Sequence, residues 1–309
     1  MPVASIAMRA EPLSRWRAWW LAIRPRTLTL AIVPVVLGTL LGWLQGGAFS
    51  LSVFLATLAA AVLIQVGTNL WNDAADAGRG TDDPRCRLGP PRAVAMGWLS
   101  AQAVRRAAFV AFLLALLIGL WLVRIGGWPI LAIGLASLAA GWMYSTGPWP
   151  IARSASGEWF VLVFFGLAAV AGSAWLQGRV CTPEILLTGL LAGLPAAAVL
   201  VVNNTRDRLA DARTGRRTLA VWLGPAAMCR LYAGLLLAPF LLLAALQWRL
   251  LPGWAGVLPW LMLPEALRLI RRFHRMKAPR GFNALLADTA RFQLGLGSLL
   301  ALALWLQGR

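Results

Sequence analysis

The sequence predicts an all-α fold: a polytopic membrane bundle of nine transmembrane helices around a central cavity. Of its 309 residues, 60% are hydrophobic, and the mean hydropathy of +0.71 is too high for a water-soluble domain of this length. Apolar runs of roughly 20 residues, the length that a bilayer core requires, recur along the whole chain. Only 11 residues are acidic, and six of them fall in two clusters that each follow an apolar run. We expect one integral-membrane domain over residues 1–309.

Residues 1–25 combine four arginines with the aromatic trio Trp16, Trp19 and Trp20, which is typical of a basic, interfacial lead-in. The first span is predicted from Leu28 to Leu44, with Pro25 in the first turn of its helix. A signal peptide is the competing interpretation. No small-residue cleavage site follows the apolar run, so an uncleaved helix is favoured.

Eight further apolar runs complete the predicted bundle, at residues 51–70, 104–123, 128–144, 158–176, 184–202, 226–247, 253–270 and 289–306. Several contain Gly or Pro, which membrane helices tolerate when neighbouring groups satisfy the freed backbone. Most of the 17 tryptophans lie near span ends, where an interfacial aromatic belt explains them. The acids Glu265 and Asp288 are expected to pair with Arg268 and Arg291.

The loop charges predict the orientation. With a cytoplasmic N-terminus, 25 of the 29 Lys and Arg residues fall on the cytoplasmic side, as the positive-inside rule requires. Both acidic clusters are then cytoplasmic and the C-terminus lies outside, in a bacterial cytoplasmic (inner) membrane. The net charge of +18 is distributed between apolar runs, which favours contacts with anionic membrane lipids and argues against nucleic acid as a partner.

Cysteine and histidine usage excludes several kinds of site. Cys86, Cys181 and Cys229 are odd in number and far apart, so neither a disulfide framework nor a zinc site is indicated. His274 is the only histidine, which excludes catalytic triads and histidine-based metal sites.

The first acidic cluster, in the predicted loop 69–94, reads NLWNDAADAGRGTDDPRCRLGPPRAV. The second, in the predicted loop 203–217, lies within VLVVNNTRDRLADARTGRRTLAVWLG and follows the sixth predicted helix. Asp73 and Asp76 are three residues apart, and Asp207 and Asp211 are four apart, so each pair shares a helix face. Acids this scarce at membrane depth indicate a functional site, and we expect helices two and six to face each other across the cavity.

Carboxylates this close together repel each other unless a cation binds between them. Mg²⁺ is the expected cofactor, because it takes one or two carboxylates per ion and completes its coordination with water and substrate phosphate. Neighbouring guanidinium groups can bind phosphate oxygens bidentately. The alternative interpretation is that these arginines only determine the membrane topology. These arginines are Arg79, Arg85, Arg87, Arg92, Arg206 and Arg208. The chain has no nucleotide-binding glycine motif.

These motifs resemble the membrane-embedded UbiA family of prenyltransferases, and more narrowly its branch that prenylates 1,4-dihydroxy-2-naphthoate for menaquinone synthesis. The matching segments run through nearly the whole chain. They are RPRTL at 24–28, the two acidic clusters, YSTGPWP at 144–150, LVFFGLAAVAGSAWLQ at 162–177 and NALLADTA before the last helix. The resemblance implies a helical bundle that transfers a polyprenyl group from polyprenyl diphosphate to an aromatic acid.

The resemblance also implies roles for individual residues. The metal motifs match Asn72, Asp73, Asp76, Asn204, Asp207 and Asp211, and the four aspartates among them are the expected catalytic residues. Position 80, often acidic in the family, is Gly80 here, and Asp82 falls where the naphthoate branch places its acid. The expected substrate-binding residues are Arg24, Arg26, Asn69, Arg79, Arg85, Arg92, Tyr144, Asn203 and Arg206.

The implied reaction begins with metal-assisted departure of diphosphate and ends with ring attack on the allylic carbon and loss of CO₂. Within the family, 4-hydroxybenzoate prenylation, haem farnesylation and chlorophyll esterification are the alternatives. CDP-alcohol phosphotransferases need a D-G-x-x-A-R element that this chain lacks. A cation transporter would carry acids near the middle of spans, whereas these acids lie at helix ends among arginines.

Overall fold

The computed structural model describes residues 13–47, 49–78 and 87–308, and all regular structure in these ranges is helical. The α-helices are α1 Arg15–Ile23, α2 Thr29–Gly46, α3 Leu51–Gly78, α4 Ala101–Gly126, α5 Trp128–Met143, α6 Gly157–Leu162, α7 Ala169–Gly178, α8 Pro183–Arg213, α9 Leu219–Leu250, α10 Leu263–Arg275 and α11 Phe282–Gln307. A π-helical segment, Val163–Ala168, joins α6 to α7, so that Gly157–Gly178 is one continuous apolar helix.

Seven helical segments of the described ranges are long and apolar enough to cross a membrane: α2, α3, α4, Gly157–Gly178, α8, α9 and Pro279–Gln307. Helix α5 is apolar but shorter. The predicted all-helical membrane bundle is confirmed, whereas the count of nine spans is not. The predicted eighth span, 253–270, falls on a 3-10 helix, Trp254–Met262, and on the first half of the charged helix α10.

Three helix boundaries differ from the sequence prediction in a way that matters for function. Asp73 and Asp76, placed in the loop 69–94, and Asp207 and Asp211, placed in the loop 203–217, lie instead on the last turns of α3 and α8. These helices continue beyond the apolar runs to Gly78 and Arg213. Pro25 begins a separate 3-10 turn before α2 rather than the first turn of that helix. The chain therefore enters the bundle through a turn at Arg24, whose φ is 57°.

Helices α2 and α7 pack in direct backbone contact through small residues. A Cβ atom at Gly42 would lie 2.5 Å from the carbonyl oxygen of Ala174, and one at Gly46 would lie 2.2 Å from the Cα atom of Gly178. Small residues permit such approach in membrane helices, where helix association depends on close packing rather than on the hydrophobic effect. This contact closes one wall of the bundle.

The two ends of the bundle differ in chemistry. The end reached by the C-termini of α3 and α8 carries both acidic clusters. At the opposite end, side chains of α7 bind the neighbouring helix ends and connections. Gln177 Oε1 accepts a hydrogen bond from the Ser50 backbone N–H at 2.8 Å, and the Trp175 indole N–H donates to the Gly126 carbonyl at 2.8 Å. Charged side chains concentrate at the first end, which is called the polar end below.

Candidate functional site

A cavity of about 750 Å³ runs inside the bundle from the polar end into its apolar interior. Of the predicted site residues, those that line it are Arg24, Arg26, Asn69, Asn72, Asp76, Arg92, Tyr144, Asn203, Asn204, Arg206, Asp207 and Asp211. Deeper in the bundle the walls are apolar, with Leu116, Ile133, Leu138 and Phe164 among them. The cavity is therefore amphipathic along its length. The predicted residues Arg79, Asp82 and Arg85 lie outside the described residues.

The two acidic clusters meet at the polar end through a residue that the sequence reasoning did not select. Arg216 contacts Asp76 with Nη2 at 3.0 Å and Asp211 with Nη1 at 3.4 Å. All three side chains are largely buried. The prediction that the acidic ends of the second and sixth spans converge is thus confirmed. Arg216 lies at the end of the predicted loop 203–217, and its position in a basic run gave no separate signal.

A second group of positive charge lies beside the carboxylates. The buried Nη2 atom of Arg24 has no hydrogen-bond partner among the described residues. Burial, and next the charge of Arg87, lower the pKa of the Arg24 guanidinium from its usual value, whereas Asp73 and Asp76 act in the opposite direction. Arg24 and Arg87 both line the cavity. Two neighbouring guanidinium groups with an unused donor favour an anion between them.

Asp73 differs from the other motif aspartates, because it is not among the residues that line the cavity. Its side chain is 1% exposed, and its Oδ2 accepts a hydrogen bond from the Ala93 backbone N–H at 3.2 Å. Asp73 thereby holds the turn at Ala93, near the end of the first acidic cluster. That turn brings Arg92 to the cavity, where its guanidinium lies 3.6 Å from Asp76.

Asn69 positions the entry turn. Its Nδ2 donates to the carbonyl of Ile23 at 2.9 Å and to Oγ1 of Thr27 at 3.1 Å. These bonds tie the loop between α1 and α2 to α3 and fix the backbone on both sides of Arg24. The amide predicted to bind substrate therefore also has a structural role, which a motif match alone does not indicate.

Arg206 lines the cavity, but its guanidinium is engaged by protein groups. Its guanidinium donates to Asp207 at 2.6 and 2.8 Å, to Asn203 at 2.9 Å and to Asn283 at 2.8 Å. Asn283 in turn donates to the carbonyl of Leu88 at 2.7 Å. Arg206 thus links α8 to α11 and, through Asn283, to the loop after the first acidic cluster. Its predicted contact with substrate remains a prediction.

Glu158 is a buried carboxylate that the sequence reasoning missed. Its Oε1 accepts a hydrogen bond from Nδ2 of Asn204 at 2.9 Å, and the residue is 6% exposed. Because this bond engages the amide nitrogen, the amide oxygen of Asn204 is the atom left to act as a ligand. Glu158 lies at the start of α6, far from α8 in sequence, so no local spacing indicates the pairing.

The donors at the polar end fit a hard cation. Within the described ranges no group of three or more His, Cys, Asp or Glu side chains is arranged to hold a metal ion. The oxygens that line the cavity belong instead to a mixed set on each helix, Asn72 and Asp76 on α3 and Asn204, Asp207 and Asp211 on α8. Oxygen donors with few carboxylates suit Mg²⁺, which keeps water and substrate oxygens in its coordination shell.

Comparison with known proteins gives consistent matches over nearly the whole chain. The model of the UbiA prenyltransferase family matches residues 31–289. The chain is 34% identical over 305 residues to the 1,4-dihydroxy-2-naphthoate octaprenyltransferase of Escherichia coli, covering 97% of this chain and 98% of that protein. The protein of the same name from Bacillus subtilis is 30% identical, with 92% and 91% covered.

Solved structures share the fold at low sequence identity. The apo structure of a UbiA homologue from Aeropyrum pernix matches with a TM-score of 0.68 at 16% identity, covering 92% of this chain and 98% of that one. A UbiA homologue from Archaeoglobus fulgidus, whose structure contains DMAPP and Mg²⁺, matches with a TM-score of 0.60 at 15% identity, covering 91% and 99%.

Proposed function

Because the chain belongs to the UbiA prenyltransferase family, we propose that it transfers a polyprenyl group from polyprenyl diphosphate to 1,4-dihydroxy-2-naphthoate. The carboxyl group of the acceptor leaves as CO₂, and the product is demethylmenaquinol in menaquinone biosynthesis. Relatives in Escherichia coli and Mycobacterium tuberculosis carry the name of this activity at 34% and 37% identity. The protein is an integral-membrane polyprenyltransferase.

One structural observation carries the proposal: two helix ends rich in Asp and Asn meet a pair of arginines at one end of an otherwise apolar cavity. A polyprenyl diphosphate has the matching polarity, with a charged head and a long hydrocarbon tail. Arg24 and Arg87 supply positive charge at the polar end, and Leu116 and Phe164 line the apolar part. A transporter for a bare cation has no use for this apolar extension.

Mg²⁺ is the proposed cofactor, and the homologue from Archaeoglobus fulgidus was solved with DMAPP and Mg²⁺. Asn72 and Asp76 would hold it on α3, and Asn204, Asp207 and Asp211 on α8. Asp73 and Asp82 remain proposed ligands. When bound, Mg²⁺ neutralises the charge that develops on the departing diphosphate.

The residues of the chain then act on the rest of the substrate. Arg24, Arg87 and Arg92 donate to non-bridging phosphate oxygens and stabilise the leaving group as its C–O bond breaks. That bond's electron pair departs with the diphosphate. A ring carbon of the acceptor forms the new C–C bond, and the electron pair of its C–COO⁻ bond returns to the ring as CO₂ leaves. The apolar walls exclude water, which would otherwise capture the allylic cation.

The proposed orientation places the polar end at the cytoplasmic face of the inner membrane, with the N-terminus on that side and the C-terminus outside. The distribution of Lys and Arg supports it. Arg26, Tyr144 and Asn203 also line the cavity and are proposed to contact substrate at its cytoplasmic mouth. Asn69, Arg79, Arg85 and Arg206 are proposed as further substrate-binding residues.

The test is a membrane assay with one polyprenyl diphosphate and two acceptors, 1,4-dihydroxy-2-naphthoate and 4-hydroxybenzoate. Each acceptor carries an isotopic label in its carboxyl group. We expect a lipid-soluble naphthol product together with labelled CO₂, and no comparable turnover of hydroxybenzoate. Prenyl-hydroxybenzoate as the main product would overturn the choice of acceptor. A product that retains the naphthoate carboxyl group would overturn the decarboxylation.

A further inference from the structure

Helix α10 presents a basic groove that shares no lining residue with the cavity. The groove has a volume of about 430 Å³ and is lined by Arg268, Arg271, Arg272, Arg275 and Met276. The four arginines follow the spacing i, i+3, i+4 and i+7, which places them on one helix face. The opposite face of α10, formed by Ala266, Leu269 and Phe273, is buried in the bundle. We propose that this groove binds the phosphate headgroup of an anionic phospholipid.

The arginines of the groove carry more positive charge than the neighbouring carboxylates neutralise, so an anion can bind there. Asp288 pairs with Arg272 and, at 2.8 Å, with Arg291. Glu265 pairs with Arg268 at 2.7 Å, and the pairings of both acids expected from the sequence are thereby confirmed. These two carboxylates are the only acids that contact the arginines of the groove within the described residues.

Arg271 and Arg275 are exposed and make no hydrogen bond or ion pair within the part of the chain that the structure describes. They are four residues apart on the same helix, where like charges repel each other. A phosphate group between them removes this repulsion and accepts bidentate hydrogen bonds from both guanidinium groups.

The position of the groove at a membrane surface favours a lipid headgroup as the bound anion. Asn283, in the first turn of α11, contacts Arg206 at the polar end of the bundle, so the adjoining α10 lies at the same membrane surface. Leu261 and Leu267, which precede the groove in sequence, and Leu294, one turn after Arg291 on α11, are exposed, and their exposure fits contact with acyl chains. Basic pockets at this depth, between helices and at the surface, are suited to lipid headgroups.

The test uses the full-length protein in detergent, titrated with dioctanoyl phosphatidylglycerol and followed by native mass spectrometry of the lipid-bound fraction. The variant is Arg271→Gln with Arg275→Gln. Each arginine near an anionic headgroup contributes roughly fivefold in affinity, so we expect binding about 25-fold weaker. The matched control is Arg105→Gln with Arg106→Gln, which removes the same charge from exposed, adjacent positions in the first turns of α4 and is expected to change binding less than twofold.

Two further arms decide between the lipid and other occupants. Dioctanoyl phosphatidylcholine is expected to bind at least tenfold more weakly than phosphatidylglycerol, and inorganic phosphate is expected not to displace the lipid. Unchanged affinity in the groove variant, an equal loss in the control, or equal binding of phosphatidylcholine would overturn the proposal. Displacement by phosphate alone would replace it with a site for a soluble anion. Should the double variant aggregate in size-exclusion chromatography, the two single variants are measured instead, each with an expected loss of about fivefold.

Discussion

At the scale of single residues, Arg216 is the most informative side chain. It contacts a carboxylate from each acidic cluster and so occupies the place where the two clusters meet. With a metal ion bound, Asp76 and Asp211 would have the metal as their partner, and the Arg216 guanidinium would be available to donate to phosphate oxygens. Arg216 would neutralise the two carboxylates while the site is empty and would stabilise the departing diphosphate when substrate is bound.

We predict that Arg216→Gln lowers kcat/KM by about 10²-fold, the loss typical of removing one charge-stabilising donor. Arg216→Lys should recover part of the rate, because it keeps the charge without the bidentate geometry. Steady-state kinetics with purified protein provide the measurement. The control is Arg217→Gln at the neighbouring exposed position, which should behave like wild type. Equal losses at 216 and 217 would refute a specific role.

The aspartates are expected to separate into two groups. Asp76→Asn and Asp211→Asn should each reduce turnover on the order of 10²-fold or more, because both line the cavity and each change weakens a metal site at nearly constant shape. Asp73→Ala should also lower the melting temperature, because it removes the acceptor of the hydrogen bond that holds the turn at Ala93. Turnover and thermal unfolding measured on the same preparations test this. Near wild-type turnover of the Asp76 and Asp211 variants would contradict the two-cluster site.

Glu158 is expected to act through Asn204. In Glu158→Gln the side-chain amide can offer N–H instead of oxygen to Asn204, so the Asn204 amide is free to turn and its oxygen is no longer fixed. We expect the apparent Mg²⁺ requirement to rise about tenfold, in line with other changes behind a metal ligand. Titration of activity with Mg²⁺ gives the measurement. Glu184→Gln is the matched control, since Glu184 pairs with the exposed Arg249 instead. A Mg²⁺ requirement equal in both variants would contradict this role.

At the scale of elements, the sequence predicted most of the long helices but not their ends. Apolar runs define where a helix can be buried in lipid, and they stop near Leu70 and Val202. The helices continue for two or more turns because polar side chains on their last turns find partners across the bundle, such as Asp76 with Arg216. Such partners are distant in sequence, so periodicity alone cannot place the boundary.

The contact between α2 and α7 yields an element-scale prediction. Gly42→Ala places a methyl group 2.5 Å from the Ala174 carbonyl oxygen and 2.8 Å from its Cα atom, so the helices must separate. Overpacking of this kind costs about 1–3 kcal/mol and should lower the thermal unfolding temperature of the detergent-solubilised protein. Gly234→Ala in α9 is the control, because nothing lies within 4 Å of its added Cβ atom. A higher unfolding temperature for Gly42→Ala would contradict the close packing.

At the scale of the whole molecule, the sequence predicted the location of the site residues better than their individual roles. Twelve of the predicted site residues line one cavity, because the motifs sit at equivalent ends of two helices that face each other. The roles of Asp73, Asn69 and Arg206 depend on loops and on α11, which pack against the motifs only in the folded bundle. Glu158 and Arg216 were missed for the same reason.

Orientation across the membrane gives the last prediction. Cys181 lies in the short connection between α7 and α8 and is exposed, at the end of the bundle opposite the acidic clusters. If the polar end is cytoplasmic, an impermeant thiol reagent applied to intact cells should label Cys181. Cys86, which is outside the described residues but within the first acidic cluster in sequence, should be labelled only after the cells are opened. Mass spectrometry of the modified peptides distinguishes the two sites.

The Cys181→Ser variant provides the control, since labelling of intact cells should then fall to background. Cys229, which is only partly exposed within α9, should contribute little before or after lysis, because α9 crosses the apolar part of the bundle. Labelling of Cys86 in intact cells, with Cys181 protected, would reverse the orientation and place the proposed diphosphate site outside. The distribution of basic residues argues against that result, because 25 of the 29 Lys and Arg residues would then have to lie on the outer side.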